Sequence, residues 1–272
     1  MESIKELRKL LQEEKVNPIG WRRPWGYKKF QRGPSIYLTR LLLPLGVTPN
    51  QVTAVSLLLG LVGCLLLLKF TWYFKLAGLL FLYLNILTDK VDGEIARYRK
   101  TYSLRGVYWD EINHLIIPPF FWVALVFGIS KIYSFEVRYI FAAGFVGALS
   151  LMINRVVQSL APQIYAKKYL KHIELFALPH GEITDIRKTR KRFIVFRPIG
   201  YILRQFQDFL VLIAATALVL VVETLTRQDA IFHPLLALWV LAMGILQFIF
   251  AIGNIIKGGR SIEANIEKIS RG

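Results

Sequence analysis

Residues 76–110 read LAGLLFLYLNILTDKVDGEIARYRKTYSLRGVYWD, and the fold turns on this stretch. An apolar run from Leu76 to Leu87 meets Asp89, Asp92, Gly93, Ala96 and Arg97, and a second apolar run opens past Gly106 and Asp110. Carboxylates where a membrane helix meets water are expensive unless they have a cation, a partner or a task. Asp89 and Asp92, three apart on a helix, share one face, and Ala96 lies a further turn along it. Gly93 and Ala96 leave that face bare, so a bulky ligand can lie against the backbone. Arg97 adds a planar cationic fork suited to phosphate. Together these residues describe a divalent-metal site for a nucleotide diphosphate.

Working outward, the chain has 272 residues, is 54% hydrophobic and has a mean hydropathy of +0.44. That is too apolar for an ordinary soluble domain. A bilayer span needs about 17–25 mostly apolar residues. The sequence predicts six spans: Val52–Phe70, Tyr73–Leu87, Val107–Ile129, Tyr139–Tyr165, Phe209–Leu225 and His233–Ile256. The expected architecture is an all-α, multi-pass membrane bundle over residues 51–257. An amphipathic interfacial segment (1–50) precedes it and a short tail (258–272) follows. An even number of spans puts both termini on one side.

The net charge of +17 could suggest nucleic acid, but its distribution argues against that partner. Residues 1–50 carry ten Lys/Arg, 88–106 five, 166–206 ten and 257–272 four. The connections on the other side hold only Lys69, Lys75, Lys131, Arg138 and Arg227. This alternation follows the positive-inside rule and places the termini and the aspartate segment in the cytoplasm. The basic run Arg187–Arg192 then reads as a topology signal beside anionic lipid, with phosphate or nucleic-acid binding as the alternative. No secretory signal is visible. Ile4, Leu7, Leu10 and Leu11 line one face of a charged N-terminal helix suited to the bilayer surface.

Other features have local explanations. Residues 17–36 mix Pro, Gly, aromatics and cations, as a headgroup-level collar does. A short helix is expected over Ser35–Leu43, stopped by Pro44. Thr48, Pro49 and Gln51 form a capping box for the first span. Pro118 and Pro119 are expected to bend the third span. Ala143 with Gly147, and Gly144 with Ala148, permit close helix approach inside the bundle or, alternatively, at a homodimer seam. The single Cys64 can form no internal disulfide. Arg155, within the fourth span, needs a carboxylate or a phosphate partner, the latter on an acceptor or a lipid. His172 and His180 lack metal spacing, and His233 starts the sixth span on the far side, away from the aspartates.

The pattern D-x-x-D-G-x-x-A-R, eight residues, G-x-x-x-D resembles the signature of the CDP-alcohol phosphotransferases. Seven such positions coincide by chance at a given start with a probability on the order of 10⁻⁸. The T-P-N stretch at Thr48–Asn50 is also similar to the family's. The resemblance implies a membrane transferase of phospholipid synthesis. Such an enzyme moves a phosphatidyl or other substituted phosphate group from a CDP-activated donor (CDP-diacylglycerol or a CDP-alcohol) to a hydroxyl acceptor and releases CMP. It implies Mg²⁺ or Mn²⁺ on Asp89, Asp92 and Asp110, with Gly93 and Ala96 against the cytidine and ribose, and Arg97 facing the diphosphate. Gly106 would let the third span start close to the second. The family's last aspartate is replaced by His114, one turn after Asp110, where it is expected to ligate metal or take the acceptor's proton. Glu111 and Asn113 fall on other faces. A cation-coupled transporter and an inactive relative are the rival readings; the transporter is disfavoured because no carboxylate lies at mid-membrane in these spans.

Overall fold

The computed structural model describes residues 2–16, 26–101, 103–129, 135–169, 202, 205–226 and 234–270. Residues 17–25 of the collar, the basic run, His172, His180 and His233 lie outside the described residues. Helices α1 (Ile4–Val16), α2 (Gly33–Leu42), α3 (Pro49–Leu67), α4 (Trp72–Arg99), α5 (Leu104–Ile129), α6 (Phe135–Tyr169), α7 (Phe209–Thr226) and α8 (Pro234–Ser270) follow one another. One turn of π-helix, Tyr27–Arg32, leads into α2. Among the described residues there is no strand.

Five helices are long and apolar enough to cross a membrane: Pro49–Leu67, Arg105–Ile129, Arg138–Val157, Phe209–Thr226 and Pro234–Ile256. The expected second span lies inside α4, which has the length, 28 residues, or about 42 Å at 1.5 Å per residue. It does not have the composition. Lys75 and the Asp89–Glu94 charges leave only a short uncharged stretch between them, so among the described residues five helices, and not α4, meet both criteria. Outward-facing Leu58, Leu65, Phe120, Phe145, Leu218 and Ile245 are exposed. Apolar surface on this scale marks contact with lipid or a partner rather than water, and the protein is a multi-pass membrane protein.

Packing follows from small residues and aromatic anchors. Helix α3 lies along α4 and α5, α5 on α6, α6 on α8, and α4 on α7. The α3–α4 pair is joined by a short turn and held close by Gly63 and Gly78. A Cβ on Gly78 would stand 2.7 Å from the Gly63 carbonyl oxygen, a distance no side chain tolerates. Phe121, Trp122 and Leu125 of α5 are fully buried at the centre of the core. The expected capping box starts α3: the Thr48 N–H donates to Gln51 Oε1 at 2.8 Å, and the Gln51 N–H to Thr48 Oγ1 at 3.4 Å. Helix α5 continues through Pro118 and Pro119 as one element. The small residues of α6 are used within the chain, Gly144 against Val126 and Ala143 and Gly147 against Gly244.

The N-terminal segment is docked onto the acidic half of α4. Leu7 and Leu11 of α1 are buried with Ile36 of α2 and pack on Tyr98, whereas Leu10 is exposed. Beneath them Glu94, with no exposure, accepts from Gln12 Nε2 (2.8 Å), Arg32 Nη1 (2.9 Å), Ser35 Oγ (2.8 Å) and Thr39 Oγ1 (2.6 Å). A buried carboxylate is tolerable when its lone pairs are met in this way. Arg97 Nε donates to the Leu11 carbonyl at 2.9 Å. The N-terminal helices thereby grip the same helix turns that carry the aspartates.

Candidate active site

The structure brings Asp89 of α4 together with Asp110 and His114 of α5. His114 Nε2 stands 3.6 Å from Asp89 Oδ1 and 3.6 Å from Asp110 Oδ1. One ligand atom from each of the three residues lies within 4.8 Å of the others. The helix period explains the α5 pair, because residues four apart stack on one face. The other oxygen of Asp89, Oδ2, holds Lys90 Nζ at 2.5 Å. Asp89 is therefore divided, with one oxygen towards the cluster and the other on a cation.

Asp92 is turned to a different partner. Its Oδ2 accepts from Thr53 Oγ1 of α3 at 2.6 Å, and its Oδ1 accepts from the Gly93 N–H. The bare side of Gly93 is filled by the Arg97 guanidinium, 3.3 Å from where a Cβ would stand, rather than left open. Gly106 makes room for Asn50 at the head of α3 and for Ser103, each 3.0 Å from an ideal Cβ. Its close neighbour is thus the first span, not the second. Ala96 is half-buried one turn after Asp92. Arg155 forms an ion pair with Glu111, Nη2 to Oε2 at 2.6 Å and Nε to Oε2 at 2.9 Å.

Sequence reasoning missed a buried amide relay behind the aspartates. Asn113, set aside as lying on another face, donates to Asp89 Oδ1 (3.4 Å) and Ser56 Oγ (3.2 Å). Its own carbonyl accepts from Asn85 Nδ2 at 3.1 Å, and Asn85 also donates to the Ser56 carbonyl at 2.8 Å. Ser56, Asn85 and Asn113 come from α3, α4 and α5, and together they orient the Asp89 carboxylate. A signal was present: Asn85 lies in an otherwise apolar run four residues before Asp89, and Asn113 lies three after Asp110.

Two cavities flank this centre. One, of about 280 Å³, is lined by Asp89, Lys90, Asn113 and His114, with Arg155, Asp208 and Gln247 contributed by later segments. The other, of about 550 Å³, is lined by Asn50, Thr53, Arg105 and Trp109 on the side where Thr53 holds Asp92. Asp208 starts α7, its Oδ1 accepting from the N–H groups of Leu210 (3.0 Å) and Val211 (3.3 Å). Burial pushes its carboxyl above the usual carboxylate range, against those N–H groups that lower it.

Two carboxylate oxygens and an imidazole nitrogen converging at the end of an apolar helix bundle define a class: a multi-pass membrane protein with a carboxylate–histidine centre able to hold a cation. Residues 46–180 match the family described as CDP-alcohol phosphatidyltransferase, and the chain carries a domain of that family. All seven signature residues and the cluster fall inside the matched range. This family of CDP-alcohol phosphotransferases is typically divalent-metal dependent. No curated protein matches the chain.

Proposed function

We propose that this protein transfers a phosphatidyl or other substituted phosphate group from a CDP-activated donor to a hydroxyl acceptor, releasing CMP, in phospholipid synthesis. The observation that carries the reading is the convergence of Asp89 Oδ1 and Asp110 Oδ1 on His114 Nε2 at 3.6 Å, within the matched domain. The carboxylate oxygens fit a hard divalent cation, Mg²⁺ or Mn²⁺, and leave the His114 Nε2 lone pair free for the acceptor's proton. When bound, such an ion neutralises charge on the diphosphate and orients the attacking oxygen. Asp89 and Asp110, with Asp92 one turn along, are the oxygen ligands. Asn113 and Lys90 keep Asp89 pointed and ionised.

His114 takes the acceptor's proton on Nε2 as that oxygen bonds to the donor's distal phosphorus. The phosphorus–oxygen bond to CMP breaks, and the electron pair leaves with CMP. Arg97, in the last turn of α4, faces the diphosphate, with Gly93, Ala96 and Gly106 shaping the nucleotide side. Helix α4 completes a six-helix bundle, residues 1–50 lie at the interface, and the centre opens to the cytoplasm as the charge asymmetry predicts. A lipid donor keeps its tails in the bilayer in that arrangement.

Purified protein with Mn²⁺ or Mg²⁺ and labelled CDP-diacylglycerol, offered a panel of alcohols, is expected to release CMP and form a lipid product. Chelation should abolish release, and Asp89→Asn should lower it by about 10³-fold or more. Metal-independent release, or release untouched by Asp89→Asn, sinks the reading.

A further inference from the structure

We propose that the smaller cavity is an acceptor pocket built for a neutral, hydroxyl-rich molecule, a small polyol without phosphate or amine. The inference rests on the transferase reading and adds the chemical class of the acceptor. The cavity is bounded by α4, α5, α6, the Gln207–Asp208 turn and α8, and His114 and Asp89 form part of its wall. Any hydroxyl bound there lies beside the imidazole that would accept its proton.

The first argument is charge. Every charged side chain that the described residues place on this wall, His114 aside, already has a partner. Lys90 is held by Asp89 at 2.5 Å and Arg155 by Glu111 at 2.6 Å, while Asp208 is capped by two backbone N–H groups. An anionic acceptor would have to draw a cation out of one of these pairs, and a cationic one would have to draw a carboxylate out of its pair or its cap. Both costs are avoided by a neutral guest.

The second argument is the remaining polar lining, which is amide: Gln31, Asn85, Asn113, Asn154, Gln207 and Gln247. An amide carries donors and acceptors together, as a hydroxyl does, so a ring of amides suits a ring of hydroxyls. Gln247 sharpens the point. It is fully buried, its Nε2 donates to the Phe206 carbonyl at 2.8 Å, and its Oε1 has no protein donor. The Phe206 contact fixes which end of the amide is oxygen, and an unmet buried acceptor favours a guest that brings O–H groups. The third argument is size. About 280 Å³ is just below the ~300–1,000 Å³ of pockets for larger ligands, which suits a headgroup and not a second lipid.

The test is binding to the full chain in detergent micelles, read by titration calorimetry with no CDP donor present. The probes are myo-inositol and glycerol, with glycerol 3-phosphate and ethanolamine as the charged comparisons. The neutral polyols are expected to bind and the charged alcohols to bind more weakly. Gln247→Leu and Asn154→Leu should each weaken polyol binding about tenfold, the worth of one buried hydrogen bond, with Mn²⁺ affinity unchanged. Tighter binding of glycerol 3-phosphate or ethanolamine overturns the proposal, as does polyol binding untouched in the folded variants. Should neither variant fold, the wild-type order of affinities decides alone. Polyol binding without CMP release from any donor would sink the transferase reading and leave the pocket standing. CMP release driven by glycerol 3-phosphate but not by polyols would sink the pocket alone.

Discussion

The two ends of α4 both bury charge, and they do so in opposite ways. At the end near Trp72, Lys75 has no exposure, and its Nζ donates to the carbonyls of Lys69 (2.7 Å) and Phe70 (2.8 Å). Close by, Glu223 is 2% exposed and accepts from the N–H groups of Leu235 (2.9 Å) and Leu236 (3.3 Å) at the start of α8. Backbone groups meet each charge, the two opposite charges also attract one another, and neither residue lines either cavity. Fourteen residues along the helix, about 21 Å at 1.5 Å per residue, Asp89 instead leans on other ionisable side chains beside open volume. Charges tied to backbone away from any cavity fasten helix ends; charges held by side chains beside open volume can exchange partners for a ligand.

That contrast can be broken in three places. The largest effect is expected at His114: His114→Ala should lower CMP release by about 10²–10⁴-fold, with the neutral-side limb of the pH–rate profile lost. Full turnover across the pH range would remove His114 from the chemistry. A smaller effect is expected behind the ligands. Asn113→Leu keeps the volume but frees Asp89 Oδ1, so Mn²⁺ affinity by calorimetry or EPR should fall by about 10–100-fold. Unchanged affinity would reduce the amide relay to packing. The smallest is at the other end. Glu223→Gln should lower stability by about 1 kcal/mol as a weakened helix cap, seen as a lower Tm, while kcat per folded molecule stays the same. An effect on kcat there would erase the distinction between the two ends.

Much of the site could be read from the sequence because its members sit at helical spacings. Asp89 with Asp92, and Asp110 with His114, follow from the 3.6-residue period, and the capping box at Thr48 follows from residue types alone. The bundle's apolar helices were equally visible. Features built from distant segments were not. The four donors around Glu94 come from residues 12–39, and nothing local to Glu94 announces them. Asp208 and Gln247 reach the smaller cavity only through the folding of α7 and α8 onto it. Asn113 was misjudged by asking whether it replaced an aspartate, when its task is to orient one. Helix α4 is membrane-long, but its charges begin early, so composition does not mark it as a span in the way it marks the other five.

Glu94 has one more consequence, for the order in which the chain is assembled. Its partners are made 55 to 82 residues earlier, so they leave the ribosome before the helix they will hold. The leading helices must wait, unanchored, until the aspartate-bearing turns arrive, and only then close around the carboxylate. Trimming the amino terminus for expression would therefore strand a buried acid in a half-made bundle, and the shortened protein would be lost during biogenesis before any assay could find it inactive.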